Sequence, residues 1–181
     1  PVVAVRRDGA GNLIDFPDGE AAGERRESIV YLETVRADAR QRRALVGALE
    51  ATLGDVRAAV TDWPGMQAAM REDADNLADP EGAALLRWLA DGMLTQLGCV
   101  IRHRNGAQEN PLGICRASAE TLLAAASFDR AFRWFDEAGI DGQGRVPLIV
   151  KANRIANVHR RVPLDLFIVP RLEKGKVTAL S

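Results

Sequence analysis

The order in which short β-type runs and helical stretches follow one another most constrains the fold of this chain. Periodicity predicts a hairpin and a strand, a helix, a strand, two or three helices, a second hairpin, a helix and three strands. Because strands do not alternate one-for-one with helices, a doubly wound parallel sheet is disfavoured. The 181 residues therefore favour an α+β fold of two small modules joined by helices.

The N-terminal part carries the first strand signals. Residues 2–5 and 13–16 are apolar runs around a glycine-containing turn and predict a hairpin. The run 29–35 combines β-branched and aromatic side chains and predicts a strand.

A helical pattern follows. Leucines at every fourth position over residues 45–53 predict an amphipathic helix that Gly54 ends. The alternation in residues 55–63 predicts a strand, with a helical continuation as the alternative because of its alanines. Pro64 then predicts the first turn of a new helix, and Asp79-Pro80 marks the start of another.

The second half returns to strands around one helical region. Ser118 is expected to open this region, which includes Leu122 and Leu123 and ends at Gly139 before the flexible joint 142–144. The predicted strands are residues 97–101, 111–115, 146–150, 162–169 and 176–180.

Charge and cysteine content exclude several classes. The 24 Lys+Arg nearly balance the 25 Asp+Glu, which disfavours a strongly basic nucleic-acid binder. No apolar run reaches the ~18–20 residues that cross a bilayer, so no membrane span is expected. Cys99 and Cys115 are too sparse for a disulfide scaffold and are interpreted as buried free thiols, with a disulfide or a metal site as alternatives. A cytoplasmic location is expected, since no signal segment is seen.

The sequence contains two partial catalytic or nucleotide-binding patterns. Gly9-Ala10-Gly11 begins a GxGxxG pattern, but Ile14 replaces its third glycine and a strand follows. Cys99 and His103 would lie roughly 13 Å apart along a strand, too far for a nucleophile and its base. The motifs therefore indicate no active site.

One basic segment is the only candidate site. It contains Lys151, Arg154, His159, Arg160 and Arg161, all expected in the loop between two strands. Arginine forks suit carboxylates and phosphates, which indicates an anion site. A solvated loop or an ion-paired contact with another domain is the alternative.

Six segments of the chain, in order, carry a family resemblance. They are residues 28–36 (SIVYLETVR), 55–63 (DVRAAVTDW), 85–98 (LLRWLADGMLTQLG), 111–116 (PLGICR), 151–169 (KANRIANVHRRVPLDLFIV) and 175–181 (GKVTALS). Together they resemble the N-terminal region of the large bacterial NAD-specific glutamate dehydrogenases. Residues 151–165 are the most specific part, since a Lys-Ala-Asn run is followed there by a Val-His-Arg run.

The resemblance implies a modular fold. Residues 1–63 are expected to be a partial ACT-like (ferredoxin-like) half module, with 28–63 forming its strand–helix–strand. Residues 64–92 are expected to be linking helices. Residues 93–181 are expected to be a C-terminally truncated PAS-like antiparallel sheet with inserted helices. The ends at Pro1 and Ser181 are interpreted as cuts in a longer chain.

The resemblance also implies a function for the longer chain. The full-length enzyme would oxidise L-glutamate with NAD to 2-oxoglutarate and ammonia, and this stretch would be a regulatory or assembly segment. It implies no catalytic, cofactor-binding or metal-binding residue here, and NAD would bind elsewhere in the parent. The expected partners are other domains and subunits of a homo-oligomer and an amino-acid or metabolite effector. An amino-acid or carboxylate sensor near residues 154–160, or a pure oligomerisation scaffold, are the alternatives.

Overall fold

Helices and antiparallel sheets together make up the structure, which confirms the α+β class. The chain divides into two compact units, Pro1–Arg43 and Ala44–Ser181. The computed structural model describes residues 2–17, 25–118, 122–138 and 146–181. The predictions made at Pro1, Gly139 and residues 119–121 and 142–144 therefore lie outside the described residues.

The first unit contains a small antiparallel sheet. Strands β1 (Val2–Arg7), β2 (Leu13–Asp15) and β3 (Arg25–Ser28) pair in the order β2-β1-β3. The Asp8 carboxylate closes the β1–β2 turn by accepting hydrogen bonds from two backbone N–H groups of the turn, at 2.9 and 2.8 Å. The predicted N-terminal hairpin is confirmed.

The strand predicted over residues 29–35 is wrong. Residues 29–38 have no regular secondary structure. Strand β3 ends just before them, and β1 already pairs with β2 on one side and β3 on the other. A β-type composition forms a strand only where a partner supplies hydrogen bonds.

A single helix, α1 (Ala39–Asp75), replaces the predicted helix, strand and second helix. Asp38 begins it by a reciprocal pair with Gln41, in which each side chain accepts a hydrogen bond from the other residue's backbone N–H at 2.8 and 2.9 Å. Gly54 does not end the helix, and Pro64 lies inside it. The helix also runs through residue 63, where the first module was expected to end.

Tertiary packing explains why residues 55–63 are helical. Ala59, Asp62 and Met66 are buried at helical spacing on one side of α1. That side packs against the rest of the second unit, so α1 continues through Pro64 although proline supplies no hydrogen bond to the preceding turn.

The second helix begins where the sequence predicts. Asp79 caps α2 (Pro80–Trp88) by accepting a hydrogen bond from the Glu81 N–H at 3.1 Å. A π-type turn, Leu89–Met93, follows and leads into the sheet.

The described part of the second unit contains six strands, β4 (Gly98–His103), β5 (Gln108–Gly113), β6 (Leu148–Ile155), β7 (Pro163–Ile168), β8 (Pro170–Glu173) and β9 (Lys176–Leu180). They form two antiparallel sheets, one of four strands in the order β5-β4-β9-β8 and one in which β6 pairs with β7. Val169, between β7 and β8, exchanges two backbone hydrogen bonds with Ser181, at 3.0 and 2.9 Å.

Two helices lie between β5 and β6 along the chain. The first, α3 (Cys115–Ser118), ends at the residue where a helical region was expected to open. Leu122 and Leu123 are buried but lie outside any helix, which corrects that prediction. The second, α4 (Ala125–Ala138), carries the predicted phenylalanine stripe into the core.

We predict that Gly113→Ala destabilises the second unit by more than Gly106→Ala. Both glycines have a positive φ, of +59° and +86°, which costs an alanine about 1–2 kcal/mol. A methyl group at Gly113 would also overlap the backbone carbonyl oxygen of Leu97, whereas the nearest atom to one at Gly106 is 4.0 Å away. Urea unfolding of both variants measures the difference, and equal losses of stability would contradict the packing assignment.

Candidate functional site

The basic segment is divided between a strand and a turn. Lys151 and Arg154 lie in β6, not in the loop where they were expected. His159, Arg160 and Arg161 lie in the connection to β7 and are exposed. The alternating geometry of a strand separates side chains that looked adjacent in the sequence. The structure therefore does not gather the five cations around one anion.

Lys151 forms a cross-strand pair. Its Nζ lies 2.5 Å from Asp165 Oδ1, directly opposite in the β6–β7 register. Both side chains are exposed, so the pair contributes little to stability.

Arg154 joins β6 to α1 through an ion pair with Asp55. Its Nη2 lies 3.1 Å from both carboxylate oxygens of Asp55, and Asn157 donates to the same carboxylate at 3.2 Å. The Arg154 and Asp55 side chains are only 18% and 19% exposed. Arg154 therefore makes an ion-paired contact, as the alternative interpretation of the basic segment expected. Its partner, Asp55, lies in the same unit and not in another domain.

A second acid on α1 is more deeply buried and was missed. The Asp62 carboxylate accepts hydrogen bonds from Arg116 Nε at 2.5 Å, Arg116 Nη2 at 2.7 Å and the Gly113 N–H at 2.7 Å. The Arg116 guanidinium and the Gly113 N–H lower the pKa of Asp62 to about 2. One sequence signal could have found it, because Asp62 falls at helical spacing with the apolar residues Ala59 and Met66.

A third acid on α1 pairs with the sheet. Asp73 Oδ1 lies 2.7 Å from Arg171 Nη2, and Asp73 is only 8% exposed. Burial raises the pKa of Asp73, and the Arg171 charge opposes that rise. This pair stands at the edge of the cavity described next.

The second unit contains a cavity of about 130 Å³. Its wall is drawn from α1, α2, three strands and the segment that joins the π-type turn to β4. Most lining side chains are apolar, and the polar ones include Asp73, Thr95 and Gln96. The apolar and thiol-bearing ones include Met70, Leu86, Leu94, Leu97, Cys99, Val100, Ile114, Cys115, Leu122, Ala152, Leu164, Leu166, Phe167 and Val169.

Both cysteines line this cavity as free thiols. Burial raises the pKa of Cys99, and it raises the pKa of Cys115 to about 12. The thiols are therefore protonated at neutral pH and are poor nucleophiles. His103 interacts with Glu109, at 2.9 Å between Nε2 and Oε2.

Between Leu45 and Val60, α1 presents an exposed apolar face. Its five side chains, each between 39% and 70% exposed, are Leu45, Val46, Leu49, Leu53 and Val60. At 100° per residue they fall within about 100° of arc. An exposed apolar stripe of this kind marks an interaction surface.

Asp55, Asp62 and Asp73 lie on a different face of α1. Their spacings of 7 and 11 residues are close to whole numbers of turns, so the three carboxylates share one side. The apolar face points roughly 140° away from it. We call the two sides the acidic face and the apolar face of α1.

Metal-ligand clusters and membrane-crossing helices are absent from the described part of the chain. Among the described residues, no three or more His, Cys, Asp or Glu side chains are placed to hold a metal ion. No helix in the described part of the chain has the length and apolar character needed to cross a bilayer. Comparison with protein-family models, curated proteins and solved structures finds no match to this chain.

We predict that Asp62→Asn lowers the melting temperature at neutral pH by several degrees. The folded-state pKa of Asp62 is lowered, so the ionised carboxylate contributes stability above the ordinary aspartate pKa of 3.8, and this contribution is lost as the pH falls towards about 2. The difference between the two proteins should therefore shrink over that acidic range. Thermal unfolding from pH 7 to pH 2 measures it, with Asp129→Asn on the exposed side of α4 as control. A difference that does not depend on pH would contradict the assignment.

Proposed function

We propose that this chain is a non-catalytic N-terminal regulatory or assembly segment of an NAD-specific glutamate dehydrogenase. The parent enzyme would convert L-glutamate, NAD⁺ and water to 2-oxoglutarate, ammonium and NADH. Hydride would pass from the substrate α-carbon to the nicotinamide in another part of the parent. The family assignment rests on the resemblance of the six segments.

The apolar face of α1 is the observation that carries the assembly role. It points away from the acidic face, by which the helix is fastened to the sheet, so the second unit does not cover it. Complete burial of an exposed leucine or valine is worth about 1.5–3 kcal/mol, and these side chains are 39% to 70% exposed, so covering each one gains part of that and favours a partner surface over solvent. We propose that a second copy of the chain in a homo-oligomer is that partner.

Ion pairs between the resembling segments support their belonging to one structural unit. Asp55 and Asp62, both in segment 55–63, pair with Arg154 and Arg116. These arginines lie in the segments 151–169 and 111–116. Three of the six resembling segments thus meet through charged side chains.

The finer fold assignment is supported over residues 93–181 only. Two strands, two helices and four further strands follow in the order expected of a PAS-like sheet with inserted helices. The expected strand–helix–strand of residues 28–63 is not present, because α1 occupies most of that range. The elements of that range give the ACT-like half module no support.

The carboxylate-sensing alternative has weaker support. Lys151 and Arg154 are paired with acids of the same unit, which leaves the exposed His159, Arg160 and Arg161 as the cations for such a ligand. We expect no saturable heat in calorimetry of the chain with millimolar L-glutamate, L-aspartate or 2-oxoglutarate. Saturable heat that Arg160→Ala removes, and that Arg57→Ala on α1 leaves unchanged, would establish the sensor instead.

We predict that the chain self-associates through the apolar face. Light scattering on a size-exclusion column should give a mass that rises with protein concentration. Leu49→Glu should abolish the rise, because it places a charge in the centre of the buried face. Ala51→Glu, on an exposed position of the same helix about 200° further round, is the matched control. A mass that stays at 19.6 kDa at every concentration, or equal behaviour of the two variants, would contradict self-association.

The identity of the parent has a separate test. Its reading frame should continue beyond Ser181 into a long chain with a dinucleotide-binding fingerprint. The 181-residue chain itself should produce no NADH from L-glutamate and NAD. A stop codon soon after Ser181 would overturn the family assignment and leave the self-association result untouched.

A further inference from the structure

The cavity of the second unit is built from parts of the chain that are far apart in sequence. Met70 and Asp73 come from α1, Cys99 and Val100 from β4, and Ala152 from β6. The ion pairs of the acidic face join α1 to β6, α3 and β8. The shape of the cavity is therefore set by the packing of several elements and not by one loop, as is usual for small-molecule sites.

The charges around the cavity disfavour an anion. Among its described lining residues there is no lysine, arginine or histidine, whereas two are aspartates. A buried anion beside the Asp73 carboxylate would lose its hydration without gaining a cation. This chemistry separates the cavity from the carboxylate site sought in residues 151–161.

The charges do not favour a cation either. The Asp73 carboxylate already lies 2.7 Å from the Arg171 guanidinium, and Asp165 lies 2.5 Å from Lys151. Each of the two aspartates that face the cavity thus has its own counter-charge. A neutral molecule is the class that this balance accepts.

The polar groups on the wall specify one feature of the molecule. A carboxylate oxygen pair accepts several hydrogen bonds, so Asp73 can receive one from a ligand while it keeps Arg171. Most of the remaining wall is apolar side chains and two protonated thiols, which favour an apolar body, and its other polar residues are Thr95, Gln96, Asp165 and Ser181. Buried thiols with a raised pKa react slowly, so a ligand without an electrophilic group binds reversibly.

The volume sets the size. A cavity of about 130 Å³ is close to the ~150 Å³ apolar cavity that accommodates benzene. We propose that this cavity binds a small neutral molecule of about that size, with an apolar body and one hydrogen-bond donor directed at Asp73. This goes beyond the assembly role of α1, which concerns another face of the same helix.

Three probes of similar size test the proposal on the 181-residue chain. Phenol is neutral and has a donor, anisole is neutral and has none, and benzoate is an anion. Titration calorimetry and thermal unfolding should detect saturable phenol binding, weaker anisole binding and no benzoate binding. Benzoate binding as tight as that of phenol, anisole binding as tight as that of phenol, or no phenol binding would each overturn the proposal.

The modification rates of the two cavity thiols show where the probe binds, and this test needs no amino-acid substitution. Methyl methanethiolsulfonate converts each thiol to a methyl disulfide, with methanesulfinate as leaving group and the thiol proton released to solvent. With phenol at about ten times its Kd, modification of Cys99 and Cys115 should slow roughly tenfold, because only the unoccupied fraction reacts. An unchanged rate at saturating phenol would overturn the proposal.

A cavity-filling variant adds a second location test. Ala152→Leu should abolish phenol binding, and Ala126→Leu on the exposed side of α4 should not. If Ala152→Leu fails to fold, thiol protection in the unchanged chain decides. Self-association is measured separately, so a failure here leaves the proposed assembly role standing.

Discussion

Three aspartate–arginine pairs fasten the long helix α1 to the sheet of the second unit. Asp55, Asp62 and Asp73 share the acidic face. Their partner arginines lie in β6, α3 and β8, respectively. Asp62 is the strongest of the three because it accepts two hydrogen bonds from one guanidinium and a third from a backbone N–H. The three carboxylates are largely buried, so removing an arginine would leave a buried charge without compensation, and the pairs fix which side of α1 faces the strands.

The sequence predicts the β1–β2 hairpin and the Asp79 cap, each of which is decided by a few neighbouring residues. Two other local signals failed, because Gly54 was expected to end a helix and Pro64 to begin one, yet both lie inside α1. Residues 29–35 and 55–63 have short β-type or alternating patterns, but neither acquires a strand partner. Residues 55–63 are held as helix by Arg116 and Arg154, whose contribution no local pattern reveals.

The site was less predictable than the fold for the same reason. The cations of residues 151–161 are close in sequence, which predicted one cluster. Arg154 instead pairs with Asp55, about a hundred residues earlier, and Lys151 pairs with Asp165 in the facing strand. The cavity has no counterpart in any single segment. The sequence does contain one pattern that indicates part of the site. Spacings of 7 and 11 residues place Asp55, Asp62 and Asp73 on one side of a helix.

An uninterrupted α1 of 37 residues also constrains how the chain can change in length. The acidic face runs from Asp55 to Asp73, and four of the five side chains of the apolar face precede Asp55. One residue inserted between Leu53 and Asp55 would turn these four by about 100° about the helix axis relative to the acidic face, whereas seven would turn them by only about 20°. Insertions and deletions at this point therefore keep the two faces in phase only in steps close to a heptad, and any other length would present a different side of the helix to a partner.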